Sequence, residues 1–350
     1  MRVLLTGSAG FIGSAVGERL AERGHDVVGL DLLLPQAHPA EATVPAGHHR
    51  VDIRDLDGVF ALLGGIDVVS HQAAMVGAGV TPADLPLYAG HNDLGTAVLL
   101  AAMAKARVSR LVLASSMVVY GDGRYSCLNH GEQSPPPRSL SDLDAGRFQL
   151  TCPHCGADIA WELVDEGAAL SPRSSYAASK VAQEHYAAAW ARQAPGAVIA
   201  LRYHNVYGPG MPQDTPYAGV AAMFRSALER GEAPRVFEDG DQMRDFVHVS
   251  DVAEANALAI EQVASRSEDS FAALNVCSGY PISILQVAEL MALGRRDTEV
   301  MPVVTGDYRA GDVRHVVASP TLASAELGFT AKVEPANGLA EFATAPLRQR

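Results

Sequence analysis

Three glycines at i, i+3 and i+6 (Gly7, Gly10 and Gly13) follow the apolar run Val3-Leu4-Leu5 and lead straight into a helical stretch at 14–22. Residues without a β-carbon permit a tight turn at a strand end and let helix, strand and ligand approach the backbone closely. The start of the helix then presents free N–H groups and a partial positive charge, which suit a pyrophosphate. Asp31 stands 18 residues after Gly13, at the end of a second apolar run from Val27 to Leu30. A carboxylate there accepts hydrogen bonds from ribose hydroxyls and repels a 2′-phosphate, so the pattern predicts NAD in preference to NADP.

The same alternation continues downstream. Val68-Val69-Ser70 and Leu111-Val112-Leu113-Ala114 are short apolar runs bounded by turn residues, with helical stretches such as 96–106 between them. Such runs read as parallel strands covered on both faces, and the alternation predicts a doubly wound α/β sheet with right-handed crossovers. A Rossmann domain is expected over 1–205 and a smaller α/β substrate lobe over 206–350, with a segment near 244–278 returning to the first domain. The tail beyond 332 carries no clear pattern.

Composition narrows the partners. The net charge of -13 argues against nucleic acid and anionic membranes, which would repel the protein. No apolar run approaches the roughly 20 residues needed to span a bilayer. Arg2 is the single basic residue among the first 13, so no secretory leader is expected and a cytoplasmic location is.

Tyr176 and Lys180 open another helical stretch. Spacing of i, i+4 puts both side chains on one face, about 6 Å apart. An ammonium beside a phenol favours the phenolate, and a positive nicotinamide ring favours it further, so Tyr176 is expected to have a lowered pKa suited to acid–base work. A serine pair, Ser115-Ser116, ends the fourth apolar run.

In combination these motifs resemble the extended short-chain dehydrogenases/reductases of the nucleotide-sugar epimerase/dehydratase type, from Met1 to about Leu327. The resemblance implies a cofactor site at Gly7, Gly10, Phe11, Ile12, Gly13, Asp31, Asp52, Ile53, Gln72, Ala73, Ala74 and Asn92, shared with Tyr176 and Lys180. It implies catalysis by Ser116, Tyr176 and Lys180, and substrate binding by Ser116, Asn205, Arg244 and Arg309. The two arginines would clamp the substrate pyrophosphate, while Arg235 and Arg314 read more readily as surface residues. Members that eliminate water carry an Asp-Glu pair after the catalytic hydroxyl. Met117 and Val118 occupy those positions here and cannot transfer protons, which leaves 4-epimerisation as the expected reaction. The Ser-Ser-Met-Val-Val-Tyr-Gly segment is most similar to that of the branch acting on dTDP-L-rhamnose, with UDP-hexose or UDP-hexuronate 4-epimerases and a net oxidoreductase as alternatives. Family members commonly form homodimers through two helices, here 92–106 and 176–193.

One segment departs from the family. Between Tyr120 and Tyr176 lie 55 residues, rich in Pro, Gly, Ser and Cys, with no helical period. Cys127-x-x-His130 and Cys152-x-x-Cys155 sit inside it, 21 residues apart. Two close pairs of soft or borderline ligands predict a structural, zinc-ribbon-like Zn2+ site over 122–170, closed to substrate because all four corners are protein. Lying between two catalytic elements, such an insertion is expected to cover the site as a zinc-ordered flap near the sugar pocket or to build a subunit contact. Cys277 reads as an inert strand thiol.

Overall fold

The computed structural model describes all residues except 36, 40, 78–81, 214–218, 296–299 and 349–350. Seven strands form the main sheet: β1 (Arg2–Thr6), β2 (Asp26–Asp31), β3 (His48–Arg50), β4 (Val68–His71), β5 (Arg110–Ser116), β6 (Ala197–Tyr203) and β7 (Ser270–Val276). Their order across the sheet is 7-6-5-4-1-2-3 and every pairing is parallel. The order reverses between β1 and β4, which opens a crevice beyond the carboxyl ends of the strands, where ligands bind in this architecture.

The runs singled out in the sequence form β1, β2, β4 and β5, and their residues are almost wholly enclosed because helices cover both faces. On one side α1 (Phe11–Glu22) packs against α4 (Val249–Ser265); on the other lie α2 (Gly95–Ala106) and α3 (Ser175–Gln193). A single turn of π-helix, Ala89–Leu94, precedes α2.

After β6 the chain leaves the main sheet for a three-stranded sheet of Asn205–Tyr207, Met243–His248 and Pro281–Ser283. Helices Val220–Glu229, Ile284–Gly294 and Pro335–Phe342 close a separate core around Tyr207, Phe246 and Phe342. The tail that is featureless in sequence thus supplies a core helix.

The insertion is more regular than its sequence suggests. Arg124–Cys127, Gly131–Gln133 and Ala160–Glu162 form a small antiparallel sheet around a core of Tyr125, Leu150 and Ile159. Strands of three or four residues are too short to show a period. This unit is tied to the second lobe. The Tyr125 hydroxyl accepts from the His315 amide at 3.0 Å and Arg138 pairs with Glu238 at 2.8 Å. Arg138 also donates to the Asp312 carbonyl at 2.7 Å, and the Tyr308 hydroxyl donates to Asp144 at 2.5 Å.

Candidate active site

The glycine turn is built as its spacing requires. A Cβ on Gly13 would stand 2.0 Å from the Gly7 carbonyl oxygen, and one on Gly7 would stand 2.6 Å from the Ala73 amide nitrogen. Gly7 also holds φ at +67°, in the left-handed region. Among the described residues no side chain caps α1, so its first N–H groups face the crevice without a partner from a capping residue. A cavity of about 670 Å³ starts there and runs across the switch point into the second lobe.

Nearly all of the expected residues meet on its walls. Gly7, Gly10, Phe11, Ile12 and Gly13 line one end with Asp31, Asp52, Ile53 and Gln72-Ala73-Ala74. Tyr176 and Lys180 line the middle, and Asn205, Arg244 and Arg309 line the substrate side. Asp31 is steadied by the amides of Ala9 (3.0 Å) and Leu33 (2.9 Å). Asp52 is held below the usual carboxylate range by hydrogen bonds from Arg54.

Asn92 is the exception among the cofactor positions. It is fully buried, accepting from the Met75 amide at 2.7 Å and donating to the Met75 carbonyl and to Ser179. With its amide consumed in this way, it fixes the Met75 loop to α3 behind the wall and does not line the cavity.

The serine pair divides its labour. Ser115 lines the cavity and donates to Glu184 at 2.5 Å, while Ser116, just behind the wall, accepts from the Val118 amide at 3.4 Å and lies close enough to the Tyr176 phenol to draw its pKa down. That pull is outweighed. Enclosure of the half-buried ring raises Tyr176 to about 12, which overturns the expectation of a lowered pKa for the chain on its own. The neighbouring Tyr88 adds to the rise. The Lys180 Nζ lies 5.9 Å from the Tyr176 ring centroid and donates to the Ala114 carbonyl at 2.8 Å, and burial lowers its pKa to about 8. A bound nicotinamide cation is the further charge that the phenol needs.

Behind this pair, Arg202 and Glu184 form a bidentate bridge at 2.7 and 3.0 Å, almost fully buried, with the Tyr120 hydroxyl on the same guanidinium. On the substrate side, Arg244 Nη1 donates to the Met243 and Arg314 carbonyls and Nη2 to the Val313 carbonyl. Arg309 lies over the Phe237 ring, 5.3 Å from its centroid. Among the described residues the Asn205 side-chain oxygen has no hydrogen-bond partner, as befits a group waiting for a ligand hydroxyl or amide. Arg235 lines the cavity but pairs with Asp307 at 2.7 Å. Arg314 is not the surface residue expected: it is 2% exposed and joined to Glu238 and Asp239. Sequence reasoning missed Glu238, Asp312 and Arg348, which also line the cavity.

The four side chains expected to be metal ligands in the insertion converge. Their donor atoms all lie within 4.8 Å of one another, with Cys127 Sγ 3.6 Å from His130 Nδ1 and 3.8 Å from Cys155 Sγ. Cys277 is a buried free thiol just past β7.

A strand-end serine facing a Tyr-x-x-x-Lys helix across a dinucleotide crevice is the arrangement of the short-chain dehydrogenases/reductases. Comparison with known proteins is narrower. The profile of the NAD-dependent epimerase/dehydratase family matches residues 3–141 and 156–277. A dTDP-L-rhamnose 4-epimerase of Burkholderia thailandensis is 33% identical, over 98% of this chain and 94% of its own. A UDP-glucose 4-epimerase of Mycolicibacterium smegmatis is 32% identical over 97% of both. MoeE5, solved with UDP-glucuronic acid and NAD, superposes with a TM-score of 0.75 at 31% identity, over 98% of both chains. The chain belongs to the NAD-dependent epimerase/dehydratase family. The break in the family match, 142–155, holds the second Cys pair.

Proposed function

We propose that the protein inverts the C4 hydroxyl of a nucleotide-activated sugar, with dTDP-L-rhamnose or a related dTDP-6-deoxyhexose as substrate. The observation that carries the reaction type is the set of groups beside the Tyr176 phenol. Ser116 and Lys180 are there, but the next wall residues, Met117 and Val118, have no proton to give for elimination. NAD, when held by the glycine turn and Asp31, supplies the acceptor and then the donor of the C4 hydride. Tyr176 takes the C4 hydroxyl proton and returns it after the 4-keto sugar has turned its other face. Ser116 steadies the phenolate by hydrogen bonding, and Lys180 holds a positive charge beneath it. Arg244 and Arg309 offer forks for the substrate diphosphate and Asn205 a side-chain carbonyl.

The likeness to the Burkholderia protein supports the rhamnose reading, and the MoeE5 complex favours UDP-hexuronate as the second. Incubation with a panel of dTDP- and UDP-sugars, followed by NMR of the H4 couplings, separates the two. Sustained NADH absorbance in the steady state would instead mark a net oxidoreductase and refute epimerisation.

Structural zinc is part of the same reading. A tetrahedron with metal–sulfur bonds of about 2.3 Å has edges of about 3.8 Å, close to the spacings of the Cys127, His130 and Cys155 donor atoms. A cytoplasmic location, where thiols stay reduced, suits such a site. We place a second copy of the chain against α2 and α3, with the exposed Tyr186 in the contact. A monomeric mass by light scattering would rule that out.

A further inference from the structure

Arg348 sits on a backbone rail. The Gly210 amide donates to the Pro346 carbonyl at 2.9 Å, Arg348 donates to the Met211 carbonyl at 3.0 Å, and Gln213 donates to the Arg348 carbonyl at 3.1 Å. From this rail the half-buried side chain crosses the mouth of the crevice. Its Nη1 donates to the Ala9 carbonyl at 2.5 Å, inside the glycine turn, and its Nη2 reaches the Ser14 hydroxyl at 3.5 Å.

Both acceptors are neutral. Among the described residues Arg348 has no ion pair, whereas cavity-lining Arg235 is paired with Asp307. Its pKa is drawn down by desolvation, against which Asp31 acts only through space. The guanidinium therefore stands beside the uncapped N-terminus of α1, a second region of positive potential, with no carboxylate in ion-pair contact. Two such features held together in a desolvated cleft repel each other unless an anion joins them.

We infer that Arg348 is a ligand of the dinucleotide pyrophosphate, reaching from the second lobe to close over the glycine turn. The inference rests on the NAD reading above. It assigns to the far end of the chain a role in retaining a cofactor that must stay through both halves of the reaction.

The test uses the full chain with Arg348→Gln and Arg348→Lys. NAD released from each purified protein on denaturation is quantified, and NAD, NADP and adenosine are titrated calorimetrically into protein stripped of cofactor. Loss of one charge-assisted contact predicts about 10- to 100-fold weaker NAD binding for Arg348→Gln, a smaller loss for Arg348→Lys, and unchanged adenosine binding. Undiminished NAD affinity in Arg348→Gln overturns the inference. So does an equal loss of adenosine, which would mean a collapsed tail, or a loss confined to NADP, which would put the guanidinium at the 2′-position. A parent protein that neither retains nor binds NAD refutes the cofactor reading itself.

Discussion

Glu184→Gln removes one charge from a place where its partner cannot follow. Arg202 and Glu184 are 4% and 2% exposed, and the carboxylate also receives the Ser115 hydroxyl. Gln keeps the volume but leaves the guanidinium without a counter-charge, a change that costs about 3–5 kcal/mol when a buried pair is broken from one side. Unfolding entropy near 2.1 cal/mol/K per residue makes each kcal/mol worth roughly 1.4 °C in a chain of this length, so the melting temperature should fall by about 4–7 °C. The assay is differential scanning calorimetry of parent and variant, both at saturating NAD because bound cofactor raises apparent stability. A second readout is independent of stability. Glu184 supports the Lys180 ammonium, whose pKa burial has already lowered to about 8. Without it the Lys180 pKa drops further, and the alkaline limb of the activity profile should move to lower pH. A melting temperature within 1 °C of the parent, with an unmoved limb, would refute the reasoning.

Tyr176→Phe should lower kcat by about 10²- to 10⁴-fold while the purified protein keeps its NAD, measured by turnover and cofactor content together. Gly13→Ala places a methyl 2.0 Å from the Gly7 oxygen, so the variant should purify without NAD or fail to fold, as absorbance and circular dichroism will show. Cys152→Ser with Cys155→Ser should reduce zinc from one per chain to near none by atomic absorption. Hydrogen exchange should then quicken in the small insertion sheet; full zinc content would defeat the metal reading.

Local constraints were the legible part of this chain. The glycine turn can be read because each missing Cβ answers to a backbone atom a few residues away or on the next strand. The Tyr176–Lys180 pair can be read because i, i+4 geometry follows from the helix alone. Properties set by enclosure could not be read. The phenol of Tyr176 moves up rather than down because its surroundings desolvate it and the neighbouring Tyr88 adds to the rise. Asn92 was assigned to the cofactor by its motif, yet Met75 and Ser179 absorb its amide. Arg348 lies in a stretch with no period or motif, and only the pairing of that stretch with Met211 and Gln213 brings it to the glycine turn.

The bridge from the insertion to the second lobe bears on traffic through the crevice. Glu238 lies between Arg138 and Arg314, and Tyr125 grips the backbone at His315, so that side of the cleft is fastened to the Rossmann half at several points. Hinge opening there would have to break a buried ion pair and several hydrogen bonds at once. Sugar nucleotide should therefore enter and leave without opening this side, and the fastened wall can keep the diphosphate still while the free sugar ring rotates.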